Sequence, residues 1–122
     1  MTAPTYITTT TNLNDLMKSI RRHERVSANI RVEIELVGKD HTVFGQTSDI
    51  SLGGTACYVS AEMAKMDEVV ISIQLPYSRE TLRLFATVRN RNSFRYGFEF
   101  NGISEEEQSK IQKCITTLKC MQ

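Results

Sequence analysis

Two short clusters in this chain carry residue types suited to holding a charged, hydrogen-bonding ligand. The first, Arg21-Arg22-His23-Glu24-Arg25, sets two arginines four apart with a third between them. Each guanidinium is a permanently charged planar fork that donates paired hydrogen bonds to phosphate or carboxylate oxygens. The second, Asp49-Ile50-Ser51-Leu52-Gly53-Gly54, places a carboxylate and a hydroxyl two residues apart, on one side of an extended segment. Its paired glycines let the backbone turn sharply and let a ligand come close. A purely local reading is also open, in which Asp49 and Ser51 cap a turn through their own backbone.

Charge separates the two clusters from the rest of the chain. From Met17 to Arg31, five basic residues (Lys18, Arg21, Arg22, Arg25, Arg31) against Glu24 give a net charge of +4, whereas the whole chain carries only +1. Such concentration in a nearly neutral protein points to an anionic partner, with a solvated charge run as the bland alternative.

Other chemistries lack their residues. There is no Walker loop, dinucleotide GxGxxG, nucleophile elbow or HExxH. Asp49 and Ser51 have no histidine placed by sequence to act as a base, so catalysis is not expected. His23 and His41 are separated and lack a second ligand cluster, and no metal or cofactor is expected. Cys57, Cys114 and Cys120 match neither a zinc site nor a CxxC motif and read as reduced thiols, the first two as small core residues. No apolar run approaches the roughly 18 residues of a membrane span, and the Thr-rich start does not resemble a secretion signal. A cytoplasmic protein without membrane insertion is expected.

The elements that must position the clusters follow from periodicity. Residues 1–20 read as a mobile tail, with a short helix from Asn12 to about Arg22 carrying Leu13, Leu16, Met17 and Ile20 on one stripe. Residues 21–122 read as one domain. Ala28 to Leu36 alternates apolar and polar, the pattern of a strand with one buried face. Gly38-Lys39-Asp40 turns the chain, and Thr42 to Asp49 returns to the aspartate-serine cluster. Thr55–Val59 and Val69–Leu75 are further strands, and Thr81–Arg91 with Tyr96–Phe100 form a hairpin about Asn92-Ser93. Six short strands at this spacing predict a small antiparallel β-barrel, mostly β with flanking α. The period then changes: Ser104 and Glu107 form a capping box for a helix over 104–121, with Ile111, Cys114, Ile115 and Leu118 on its apolar face. That face is expected to cover the barrel.

An RxxxR pair (Arg21, Arg25) upstream of a DxSxxG (Asp49, Ser51, Gly54), with a strand between, resembles the PilZ domain family. The resemblance runs from about Arg21 to about Ile115 and includes Tyr96-Gly97-Phe98-Glu99-Phe100. It implies a barrel of PilZ type with a C-terminal helix, and a receptor for the bacterial second messenger cyclic di-GMP. It further implies that Arg21 and Arg25, with Arg22 as an additional cation, take the phosphates or stack on guanine. Asp49 and Ser51 would meet the guanine edges, and Gly54 would leave space where a side chain would collide. Ile20 stands where some family members carry another arginine associated with a stacked ligand pair, which tilts the reading toward one ligand per chain. Ordering of the N-terminal segment would signal to a protein partner, in motility, biofilm or virulence control. Arg89, Arg91 and Arg95 read as solvated strand ends, and Phe44, Tyr58, Phe94 and Tyr96 as mainly core. Two rivals remain: a PilZ-like interaction module without ligand, and a small-barrel binder of single-stranded nucleic acid. The near-neutral charge disfavours a long nucleic acid.

Overall fold

The computed structural model describes residues 24–121. Its strands are β1 (Val26–Ser27), β2 (Arg31–Leu36), β3 (Thr42–Ile50), β4 (Gly54–Val59), β5 (Glu68–Gln74), β6 (Thr81–Asn92) and β7 (Arg95–Asn101), and they precede one helix, α1 (Glu105–Met121). All pairings are antiparallel in the order β1-β3-β2-β5-β6-β7-β4, and β3 also pairs with β4. That last pairing closes the six strands β2 to β7 into a barrel and removes the open edges that invite pairing with other chains. The short β1 lies beside the end of β3, where Val26 pairs with Ile50 and Ser27 with Asp49.

The alternation read from Ala28 to Leu36 is realised in β2, where Val32, Ile34 and Leu36 are buried and Arg31 and Glu33 exposed. The strand does not extend back to Ala28 as its pattern predicts. Residues 28–30 bond irregularly to β3: Ala28 N donates to the Ser48 carbonyl (3.1 Å), and Ile30 N to the Thr47 hydroxyl (2.9 Å). A side-chain acceptor has replaced a ladder acceptor there. The β6–β7 turn falls at Ser93-Phe94, with Ser93 in the left-handed region at φ 61°.

The core fills the barrel, and Tyr96 is its largest fully buried side chain. The Tyr96 hydroxyl donates to the Ala61 carbonyl (2.7 Å) and accepts from Met63 N (3.1 Å), so its polar end is satisfied. Helix α1 adds Ile111, Cys114, Ile115 and Leu118 to the same core. Each such apolar side chain contributes about 1.5–3 kcal/mol on burial. Ser104 and Glu107 form the predicted capping box, Ser104 N donating to Glu107 Oε1 (2.9 Å) and Glu107 N to Ser104 Oγ (3.1 Å). No helix among the described residues is long and apolar enough to cross a membrane.

Cys57 and Cys114 are buried free thiols, pushed by burial up to about 12 and about 11 respectively. The aromatics depart from expectation. Only Tyr96 of the four is core, whereas Phe44, Tyr58 and Phe94 are 63%, 55% and 56% exposed. Phe44 and Tyr58 fall on the outward phase of their strands, and Phe94 sits in the β6–β7 turn. The predicted tail and N-terminal helix, together with Arg21, Arg22 and His23, lie outside the described residues.

Candidate functional site

Strand β3 would bury its aspartate if it were regular. Thr47 faces inward, so period-two alternation would turn residue 49 inward as well. A bulge intervenes. Thr47 pairs with Cys57 and Asp49 already with Ala56, leaving Ser48 as the extra residue. The phase shifts by one, Ile50 takes the inward position, and Asp49 turns to the outer face. The Asp49 carbonyl accepts from Thr55 Oγ1 (2.7 Å), which pins the backbone at this point.

The Asp49 carboxylate, 17% exposed, is shared by two arginines. Oδ1 accepts from Arg25 Nη1 and Oδ2 from Arg95 Nη2, each at 2.8 Å. Arg95 Nε also donates to Ser48 Oγ (3.2 Å), so the bulge residue and the aspartate are held by one guanidinium. Two cations on one carboxylate leave this cluster with an excess positive charge, the local field that attracts an anion. Sequence reasoning treated Arg95 as a solvated strand end. Its role comes from Tyr58 pairing with Arg95 across β4 and β7, a neighbourhood that only closure of the barrel creates.

The turn after β3 is held by its own atoms. Ser51 N donates to the Gly54 carbonyl (2.8 Å), Ser51 Oγ donates to the same oxygen (3.3 Å) and Gly53 N donates to Ser51 Oγ (3.3 Å). Phe100 N then donates to the Gly53 carbonyl (3.0 Å) and ties the turn to β7. A Cβ on Gly54 would lie 2.1 Å from the Phe98 carbonyl oxygen, so the close approach that requires glycine here is that of β7. Ser51, 3% exposed, thus serves the local turn geometry anticipated as the bland reading.

Beside this turn runs a groove of about 460 Å³, with Arg25, Ser51, Gly53 and Gly54 on one side and Arg89, Asn90, Gly97 and Glu99 on the other. The volume falls in the range of small-ligand sites, about 300–1,000 Å³. A second bulge forms the far wall. Val88 pairs with Phe98 and Asn90 with Gly97, leaving Arg89 as the extra residue. Arg89 is not simply a solvated strand end: its Nε donates to Glu99 Oε1 (2.7 Å) within the groove. Arg91 lies outside the groove, gripping both oxygens of Glu62 (2.7 and 3.2 Å) and stacking 5.2 Å above the Tyr96 ring.

Of the residues singled out from sequence, the fold brings Arg25, Asp49, Ser51 and Gly54 to one place. The neighbouring Glu24 pairs with Lys119 of α1 (2.9 Å), so the end of the arginine cluster is tied to both β3 and the helix. Among the described residues no group of three His, Cys, Asp or Glu side chains could hold a metal ion.

Comparison with known proteins fits this architecture. A family model described as PilZ domain matches residues 19–117. No curated protein matches the chain. Among solved structures, the PilZ domain of CeSA from a cellulose-synthesizing bacterium is similar at a TM-score of 0.66 and 24% identity, over 79% of this chain and 98% of that one. The PilZ domain of YcgR from Escherichia coli, determined with c-di-GMP, is similar at a TM-score of 0.69 and 17% identity, over 82% of this chain and 92% of that one. PlzA of Borreliella burgdorferi, in complex with c-di-GMP, is similar at 0.57 and 17% identity, over 85% of this chain and 45% of that one. At these identities the solved structures establish a shared fold, and the family model establishes membership: the chain belongs to the PilZ domain family.

Proposed function

We propose that the protein is a bacterial cyclic di-GMP receptor rather than an enzyme. The observation that carries this reading is the 2.8 Å bond between Arg25 and Asp49, which joins the RxxxR and DxSxxG segments, with Arg25, Ser51 and Gly54 lining one groove. Solved PilZ structures of YcgR and PlzA with c-di-GMP support it. In this reading Arg21, Arg22 and Arg25 take the phosphates or stack on a guanine and Asp49 meets a base edge, while Ser51 and Gly54, expected from the motif to face the ligand, act by holding the turn that lines the groove. The ligand draws Arg25 toward itself and leaves Asp49 to Arg95. Ordering of the arginine segment is then the signal passed to a cytoplasmic protein partner, in control of motility, biofilm formation or virulence.

Isothermal titration with cyclic di-GMP tests the assignment. A charge-assisted hydrogen bond contributes roughly 1.5–3 kcal/mol, so Arg25→Ala or Asp49→Ala should weaken binding by at least about tenfold with the thermal transition still cooperative. Equal affinities for wild type and both variants would refute the site. Absence of binding by the wild type would favour the interaction module without ligand.

A further inference from the structure

The outer face of β2, β3 and β4 carries a second groove, of about 350 Å³, separate from the one beside the DxSxxG turn. Phe44, Tyr58 and Phe94 line it, each more than half exposed. Gly45 forms part of its floor, where a Cβ would lie 2.7 Å from the Tyr58 carbonyl oxygen. Contiguous exposed aromatics of this kind mark interaction surfaces, because burying them on a partner recovers the apolar area that folding left in water.

Arg31, which lines the groove, and Glu33, opposite Phe44, say which partner. Arg31 and Glu33 lie two apart on β2, both exposed, opposite Gln46 and Phe44 respectively. Neither has an ion pair among the described residues, a lack that Arg31 shares among the described arginines only with Arg79 of the β5–β6 turn, whereas Glu35, the next outward residue of β2, pairs with Arg83. One unpaired cation beside one unpaired anion is self-complementary: across a two-fold axis, the arginine of one copy faces the glutamate of the other. An acidic partner or a nucleic acid would meet Glu33 with like charge and gain only from Arg31.

We infer that this face joins two copies of the chain in an isologous dimer. Phe44 of each copy packs in the other's groove against Tyr58 and Phe94, and Arg31 of each pairs with Glu33 of the other. Closure of the barrel rules out extension of the barrel sheet across the interface, so the contact is face to face. The inference does not depend on cyclic di-GMP binding.

Sedimentation equilibrium of the full chain without ligand tests it, on variants first shown to unfold cooperatively. The wild type should dimerise, and Phe44→Ser, Arg31→Glu and Glu33→Arg should each raise the dissociation constant at least about tenfold. The double reversal Arg31→Glu with Glu33→Arg restores opposite charges across the axis and should recover dimerisation to within about threefold of wild type. A monomeric wild type, an unaffected Phe44→Ser variant or a double reversal no better than the single ones would overturn it. Binding of a fluorescent oligothymidine to a monomer through Phe44 and Tyr58 would overturn it as well.

Discussion

Replacing Arg95 by methionine removes one of the two cations on Asp49 and keeps the aliphatic stem. The side chains of Asp49 and Arg95 are 17% and 39% exposed, so their bond is neither fully screened nor fully desolvated. Exposed ion pairs contribute about 0.2–1 kcal/mol and charge-assisted hydrogen bonds about 1.5–3, which places this one near 1.5 kcal/mol. In the free variant Arg25 still neutralises Asp49, and stability should fall by about 1.5 kcal/mol in urea titrations. Ligand binding is where the loss is felt twice. Under the proposed function, the ligand of the wild type recruits Arg25 while Arg95 stays on the carboxylate. In the variant the same recruitment leaves Asp49 with no cation. A penalty of about 1.5 kcal/mol corresponds to roughly tenfold weaker binding. Isothermal titration of wild type, Arg95→Met, Asp49→Asn and the double variant separates the mechanisms. If Arg95 acts by holding Asp49, its replacement should cost less than about threefold once Asp49 is neutral. A full tenfold loss in the Asp49→Asn background would show that Arg95 acts on the ligand directly, and the reasoning would fail.

Gly54→Ala should cost at least about 2 kcal/mol in urea titrations, because its Cβ meets the rigid Phe98 carbonyl at 2.1 Å. Gly97→Ala, which meets the Asn90 side chain, should cost less; equal losses would contradict this. Ser104→Ala should remove about 1 kcal/mol by opening the capping box of α1, read by thermal unfolding. Burial raises the Cys57 and Cys114 thiols to about 12 and about 11, so both remain protonated in the folded chain where the unfolded chain has ionised them near 8.5. Their contribution is fully present below about 8.5 and is lost as pH rises toward 11–12, so stability should decline over that window. At pH 8 a thiol reagent should accordingly titrate Cys120 first, and fast labelling of Cys57 in the folded protein would contradict this burial.

The sequence made β2 and α1 legible because each carries an uninterrupted period, two in Val32 to Leu36 and near 3.6 in Ile111 to Leu118. The two arginine and aspartate clusters were legible as residue types in order. What joins them was not. A bulge adds one residue without changing composition, so nothing around Ser48 or Arg89 announces it, yet those two residues decide where Asp49 points and what lines the groove. Arg95 was misjudged because its partner is 46 residues away and becomes a neighbour only when β4 and β7 pair. Phe44 and Tyr58 were misjudged for the converse reason. An aromatic on a strand signals a pleated surface, and which face is buried depends on the strand's neighbours.

The bulge at Ser48 also bears on how the spacing between the two motifs is to be understood. Thr47 faces inward before it and Ile50 inward after it, so a chain lacking that one residue would keep the same inward set on both sides and the same outward aspartate. Length is therefore elastic by one residue at this point, and likewise at Arg89, without any repacking of the interior. Insertions or deletions elsewhere in β3 or β6 would turn apolar side chains into water. The distance along the chain from Arg25 to Asp49 is thus free to drift by one residue while the bond between them is kept.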